Sequence, residues 1–168
     1  MCIRDRLATM NNLASTYDKQ GKYELAEVLY KQCLDKMRTV LGDNHPDTLA
    51  AMNNLANTYD HQGKYDQAEV LYKQCLEKRR TILGDNHPGT LNTMNGLALT
   101  YEVQGKYAQA EVLYKQCLDK RRTILGDNHP DTLATINGLA VIYKAQGKYD
   151  QAEVLYKQGK HDEAVGKP

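Results

Sequence analysis

The sequence predicts an all-α fold, a solenoid of antiparallel helix hairpins with a repeat length of 42 residues. A leucine and a glycine each recur at this interval in four copies, namely Leu7, Leu49, Leu91 and Leu133, and Gly21, Gly63, Gly105 and Gly147. A fixed period of this size is typical of a solenoid, in which each unit buries its apolar face by stacking on a neighbour. The domain organisation is therefore one array of repeats.

The first helix of each unit is clearest in the second copy. Its apolar residues are three or four positions apart and form one stripe: Leu49, Met52, Leu55, Ala56 and Tyr59. This spacing predicts a helix from about Asp47 to Gln62. Gly63 ends it, because glycine adopts the left-handed conformation at a helix end without a steric penalty.

A longer second helix follows Lys64 and completes the hairpin. Its apolar stripe consists of Tyr65, Ala68, Leu71, Tyr72, Cys75, Leu76, Ile82 and Leu83. Glu69 lies near its start and the basic triplet 78–80 near its end, as the helix dipole favours. A nuclear address or a phosphate-binding patch is an alternative for the triplet, but we interpret it as a solvated helix terminus.

The connector between units is rich in turn-forming residues. In the second copy it runs from Gly84 to Pro88, and the proline falls in the first turn of the next helix, where its missing N–H costs little. Asp47 and Asp131 add favourable negative charge at that turn, and Gly89 weakens it in the third copy. In three copies the connector places a histidine directly before the proline: His45, His87 and His129. One histidine per layer without a second ligand type does not form a metal site.

The pattern divides the chain into four repeats, 7–45, 46–87, 88–129 and 130–158. Residues 1–6 replace the expected connector with an unrelated leader, which we interpret as outside the repeat pattern and as a candidate artefact. Residues 159–168 form a truncated or irregular tail that resembles the start of a second helix. We expect a fragment of a longer array, with uncapped apolar ends that favour self-association.

Composition narrows the function classes. Acidic and basic residues nearly balance at a net charge of +1, so nothing favours nucleic acid as a partner. No apolar run approaches the roughly 18 residues of a membrane span, and we expect a cytoplasmic protein without a membrane partner. Cys33, Cys75 and Cys117 share one repeat position. Stacked repeats place such positions about 10 Å apart, beyond the roughly 7 Å limit of a disulfide, which predicts buried structural thiols.

Catalytic motifs are missing from the sequence. It contains no phosphate-binding loop, no nucleophile elbow and no cysteine and histidine at a plausible spacing. Each recurring His, Asp and Cys belongs to the repeat, which explains its presence structurally. We therefore expect a protein that is not an enzyme and needs no cofactor or metal.

The repeat resembles the tetratricopeptide repeat. The residues that carry the resemblance in the first unit are Leu13, Ala14, Tyr17, Gly21, Tyr23, Ala26 and Tyr30, and the same pattern recurs in the other three units. The usual period of that family is about 34 residues. The longer period, with Asn-Asn-Leu-Ala in the first helix and Leu-Gly-x-x-His-Pro between units, is similar to the repeat of kinesin light chains. The resemblance covers residues 7 to about 158.

This resemblance implies a right-handed superhelix whose first helices line a concave groove that binds peptide segments. Residues three or four apart on a helix share a face, and four asparagines then align as a ladder: Asn11, Asn53, Asn95 and Asn137. The resemblance assigns this ladder to holding a partner peptide, since an amide can both donate and accept hydrogen bonds. The alternative is that these side chains bond neighbouring turns or face water.

Other inward positions differ between units and are expected to set specificity. They are Ser15, Asn57, Leu99 and Val141, together with Asp18, Asp60, Glu102 and Lys144. The related carboxylate-clamp arrays, which bind chaperone tails, need Lys and Arg facing the groove. Here the inward bases Lys19, His61 and Lys144 are scattered over separate units, which disfavours that mode.

Two functions are therefore compatible with the sequence. The first is a protein–protein interaction scaffold that binds a peptide or partner segment in its groove, as a kinesin light chain-like cargo adaptor does. The second is the sensor or oligomerisation array of a larger signalling NTPase-type protein.

Overall fold

The computed structural model describes the backbone of residues 2–165 and the side chains of residues 2–158. Within these residues the chain forms eight helices and no strand: α1 (Ile3–Lys19), α2 (Tyr23–Leu41), α3 (Pro46–His61), α4 (Tyr65–Leu83), α5 (Pro88–Val103), α6 (Tyr107–Leu125), α7 (Pro130–Ala145) and α8 (Tyr149–Val165). The predicted all-α class is confirmed. Helix α1 begins inside the expected leader, and α8 extends into the expected tail. Met1 and residues 166–168, which also belong to these two segments, lie outside the described residues.

The chain divides into two compact units, residues 1–93 and residues 94–168. In the first unit α1 packs against α2, α2 against α3, and α3 against α4. In the second unit α6 packs against α7 and α7 against α8. In each unit a second helix therefore contacts the first helix of the next repeat, so neighbouring hairpins share one apolar interface.

Glycines end the helices at the predicted places. Gly63 follows the first helix of its repeat with a φ of 72°, and Gly84 follows the second helix with a φ of 87°. Both values lie in the region that side chains with a Cβ rarely adopt, so glycine allows the chain to reverse without strain.

The recurring histidines start the first helices. The Nδ1 atom of His45 accepts a hydrogen bond from the backbone N–H of Asp47 at 3.2 Å, and His129 accepts one from Asp131 at 3.1 Å. His87 does the same for Gly89 at 3.0 Å. Each histidine is therefore an N-cap that satisfies an otherwise unpaired donor. Among the described residues, no group of His, Cys, Asp and Glu side chains is arranged to hold a metal ion.

The three repeat-position cysteines are fully buried and reduced, as predicted. The Sγ atoms of Cys33 and Cys75 each donate to a first-helix carbonyl, those of Leu7 and Leu49, at 3.3 Å. Burial raises the pKa of the Cys75 thiol, which suits a packed core residue rather than a nucleophile. No helix in the described part of the chain is both long and apolar enough to cross a membrane.

Two glutamates link second helices to the following hairpin. Glu27 on α2 contacts Lys31 at 2.5 Å and Lys64, which precedes α4, at 2.7 Å. Burial would raise the pKa of Glu27, but hydrogen bonds from these lysines and from Gln62 outweigh it and lower the pKa to about 2. Glu111 on α6 makes the equivalent contacts, and its pKa is also lowered to about 2.

Replacing both glutamates, E27Q/E111Q, is expected to make the free energy of unfolding less dependent on pH in the acidic range. Because the folded pKa lies below the ordinary value of 4.5, the carboxylates contribute stability above pH 4.5 that is lost as the pH falls towards about 2. The variant should be less stable by about 1 to 2 kcal/mol at neutral pH, since the lysines are half exposed and screened. Urea unfolding at several pH values measures this. Glu24→Gln, at an exposed position of α2, is the control, and a difference that stays constant with pH would contradict the assignment.

Candidate functional site

The predicted inward positions are half-buried or exposed on the first helices. In the first unit they are half-buried: Asn11, Ser15 and Asp18 on α1, and Asn53, Asn57 and Asp60 on α3. In the second unit Asn95, Glu102 and Val141 are half-buried, whereas Leu99, Asn137 and Lys144 are exposed. We call these residues the first-helix face, and each unit carries its own part of it. Their role in binding a partner stays a prediction.

Asn53 is held by the next repeat. Its Oδ1 atom accepts a hydrogen bond from the Thr93 hydroxyl at 2.8 Å. The Thr93 hydroxyl in turn accepts one from Arg79 Nη1 at 2.7 Å, and the same nitrogen donates to the carbonyl of Gly89 at 2.6 Å. The amide nitrogen of Asn53 has no hydrogen-bond partner among the described residues. Its oxygen therefore points into the junction between repeats, and its N–H groups remain available.

Asn95 is held in the same way in the second unit. Its Oδ1 accepts from the Thr135 hydroxyl at 3.2 Å and lies 3.4 Å from Arg121 Nη1. Arg121 also donates to Thr135 at 2.7 Å and to the carbonyl of Asp131 at 2.8 Å. Because a guanidinium only donates, the atom that faces it must be the amide oxygen. The chemistry of the contact thus fixes the orientation of the asparagine.

The interpretation of the basic triplet as solvated is wrong for its middle residue. Arg79 is only 8% exposed and Arg121 only 4%. The arginine stem crosses the apolar interface, and its head reaches carbonyl and hydroxyl acceptors on the next first helix. Arg80 and Lys78 do lie at a solvated terminus, where they pair with Asp85 at 3.1 Å and Asp43 at 3.5 Å.

The first junction lacks this network. Met37 and Ala51 stand at the repeat positions of the arginine and the threonine, and both are buried. The Oδ1 atom of Asn11 is consequently buried without a hydrogen-bond partner among the described residues. The paired change of Met37 and Ala51 is the signal in the sequence that these two positions act together.

Several acidic residues of the first-helix face are engaged within the fold. Asp18 Oδ1 accepts from the Thr58 hydroxyl at 2.9 Å and lies 3.2 Å from His61 Nδ1. The Tyr114 hydroxyl donates to Glu102 at 3.0 Å. Burial raises the pKa of Glu102, and this hydrogen bond offsets part of the rise.

Tyr72 makes the corresponding contact in the first unit. Its hydroxyl donates to Asn57 Oδ1. Burial, followed by the charge of Asp60, raises the pKa of Tyr72, so the hydroxyl keeps its proton and acts as a donor. The tyrosines of the second helices therefore hold polar side chains of the first-helix face in place.

The residue that follows the ladder asparagine is Asn54 in the second copy but Gly138 in the fourth, where a tyrosine ring approaches closely. A Cβ atom at Gly138 would lie 2.6 Å from Cζ of Tyr114, whose side chain is buried. Asn54 stands at the equivalent position in the first unit, where it hydrogen-bonds Tyr30. The change from Asn54 to Gly138 therefore makes room for the ring.

A sequence model of the tetratricopeptide repeat matches residues 5–81, 61–123 and 101–160. Among solved structures, the chain is similar to BtubC (BKLC) from P. vanneervenii, with 24% identity and a TM-score of 0.88 over 96% of this chain. It spans 65% of the length of that protein.

The chain is also similar to a putative kinesin light chain from Podosopora anserina with nearly identical TPR-like repeats. The identity is 29% and the TM-score 0.79, over 95% of this chain and 76% of that one. A second crystal structure under that description, of a substituted form, matches at 23% identity with a TM-score of 0.66, over 98% of each chain. The predicted kinesin light chain-like repeat and its α-solenoid class are confirmed.

Proposed function

Because the chain belongs to the tetratricopeptide repeat family, we propose that it is a protein-interaction scaffold that holds a peptide segment of a partner along its first-helix face. Because its repeat is similar to that of kinesin light chains, we propose that the protein acts as a cargo adaptor. The supporting observation is that the amide oxygens of Asn53 and Asn95 each accept a hydrogen bond from a threonine of the next repeat.

These asparagines present donors to a partner rather than both kinds of group. Their oxygens accept hydrogen bonds from Thr93 and Thr135. The amide N–H groups remain, and a peptide segment offers them carbonyl oxygens at every residue and carboxylates at acidic side chains. We therefore propose that these amides donate hydrogen bonds to the partner and accept none from it.

Arg79 adds positive charge behind Asn53. It is 8% exposed, and no carboxylate pairs with it among the described residues. Buried charges are ordinarily paired, because desolvation is costly without a partner of opposite sign. A partner segment that places an acidic side chain near Asn53 would gain this electrostatic interaction, so we propose that the bound segment is acidic.

The test is a binding screen with short synthetic peptides in matched pairs, one with Asp and Glu and the other with Asn and Gln at the same positions. N53A/N95A is expected to weaken binding at least about tenfold, a loss of about 1.4 kcal/mol. R79M/T93A reproduces the Met37 and Ala51 combination that the first junction already accommodates, and it should reduce the preference for acidic peptides by a similar factor.

Gln74→Ala, at an exposed position of α4, serves as the control, and circular dichroism reports the helical content of each variant. Unchanged affinity in N53A/N95A, with unchanged helical content, would exclude these asparagines as the binding groups. Equal binding of the acidic and neutral peptides would remove the charge from the proposal.

A further inference from the structure

The amide group of Asn11 is engaged differently from the amides of the next two ladder asparagines. Asn53 Oδ1 accepts a hydrogen bond from the Thr93 hydroxyl at 2.8 Å. Asn95 Oδ1 accepts one from the Thr135 hydroxyl at 3.2 Å. The Oδ1 atom of Asn11 is buried, and neither amide atom of Asn11 is hydrogen-bonded to a residue in the described part of the chain. The first ladder position therefore lacks the contact that holds the next two.

The residues at the first junction explain this difference. Met37 and Ala51 stand at the repeat positions of Arg79 and Thr93, and both are buried. Neither side chain carries a hydrogen-bond donor, and the only polar atom of the pair is the thioether sulfur of Met37, which is a weak acceptor. An amide N–H that faces this junction is therefore better matched than an amide oxygen.

The amide of Asn11 can exchange the positions of its oxygen and its nitrogen. The terminal torsion of asparagine is broad and roughly twofold, so a half turn about the Cβ–Cγ bond breaks no hydrogen bond at Asn11. The same turn at Asn95 would direct N–H groups at Arg121, whose Nη1 atom lies 3.4 Å from the amide oxygen. Because a guanidinium only donates, Asn95 keeps its orientation, whereas Asn11 can present either group to a partner.

We propose that Asn11 turns its oxygen towards the partner and accepts a hydrogen bond from a basic side chain of the bound segment. Its N–H groups then face the sulfur of Met37, so that donors meet acceptors on both sides of the amide. This inference rests on the proposed binding of a segment along the first-helix face. It makes Met37 and Ala51 the residues that set the specificity of the first repeat.

Charge strengthens the difference between the first two repeats. The guanidinium of Arg79 adds positive charge behind Asn53, whereas the uncharged Met37 takes its place behind Asn11. A cation therefore meets no such repulsion at the first repeat. Equivalent positions of stacked repeats are about 10 Å apart, and an extended chain advances about 3.3 Å per residue. We therefore expect the bound segment to carry its basic residue about three positions from its acidic one.

A charge scan of one peptide tests this inference. The probe is the acidic peptide that binds most tightly in the matched-pair screen, with each position replaced in turn by Lys and by Glu. For wild type, Lys is expected to bind about tenfold more tightly than Glu at one position. That position should lie about three residues from the one at which Glu is preferred. Fluorescence anisotropy of the labelled peptides measures each affinity.

Two variants separate Asn11 from the rest of the face. M37R/A51T should reverse the preference for Lys to one for Glu at that position, because the oxygen of Asn11 would then be held as that of Asn53 is. N11D keeps an acceptor and removes the donor, so it should raise the preference for Lys by about a further tenfold. Gln32→Arg adds the same charge as M37R at an exposed position of α2. It is the matched control and should leave the scan unchanged.

A wild-type scan in which no position prefers Lys would overturn the inference, as would a scan of M37R/A51T that is identical to that of wild type. N11D without effect on the preference for Lys would also overturn it. A reversal that Gln32→Arg reproduces would show a general effect of charge and would count against Asn11 equally. The preference for Glu near Asn53 persists in each of these cases. Failure of the proposed function is recognised separately, when N53A/N95A binds every peptide as wild type does.

Discussion

Leu55→Ala is expected to lower the free energy of unfolding by about 2 to 5 kcal/mol, whereas Leu13→Ala lowers it by about 1 kcal/mol or less. The two leucines occupy the same repeat position, yet Leu55 is 3% exposed and Leu13 is 43% exposed. Truncation at Leu55 removes buried methyl groups and leaves a cavity, because packed surroundings relax only in part. Truncation at Leu13 removes atoms that water already contacts.

Urea unfolding followed by circular dichroism measures both variants, at a protein concentration low enough to suppress association. Each variant is the control for the other, since the chemical change and the neighbouring sequence are nearly the same. Equal losses at the two positions would mean that Leu13 is covered in solution.

M37R/A51T is expected to keep the stability of the first junction within about 1 kcal/mol of wild type, because hydrogen bonds to the guanidinium offset the cost of burying a charge that has no carboxylate partner. The two changes introduce the residues found at the equivalent positions Arg79 and Thr93. The buried oxygen of Asn11, which has no partner among the described residues, would then accept a hydrogen bond as Asn53 does.

The single variants separate this network from a general effect of either residue. M37R alone is expected to destabilise the fold, because the guanidinium would be buried without the threonine hydroxyl as an acceptor. A51T alone should change stability little. The coupling energy from the double-mutant cycle is expected to reach at least about 1 kcal/mol. Additive effects would show that the two positions act independently.

The sequence predicts the helices well because their boundaries depend on local chemistry. Periodicity predicts the first helix of the second repeat from about Asp47 to Gln62, and the structure has it at Pro46–His61. Proline at its first turn and glycine after its end restrict the backbone within a few residues, whatever the distant contacts. The buried cysteines follow from the apolar stripe in the same way.

The position of Arg79 depends on contacts that helix periodicity does not report. A charged residue near a helix end is ordinarily solvated, but here a carbonyl and a hydroxyl of the next repeat accept hydrogen bonds from it. The same holds for the oxygen of Asn53, whose partner Thr93 is 40 residues away. Such contacts require the packed junction, so the sequence indicates which residues line the face but not which of their atoms are occupied.

Side-chain hydrogen bonds between repeats can join residues of adjacent repeats, as between Asp18 and His61, which are 43 positions apart. His45, His87 and His129 each precede a proline, so removal or insertion of one repeat rejoins a histidine to a proline and leaves the next helix with its cap. In a solenoid, stability is approximately the sum of the intrinsic stabilities of the repeats and of the interfaces between neighbouring repeats. Gene duplication or deletion can therefore change the length of such an array in steps of one repeat while each remaining junction keeps its chemistry.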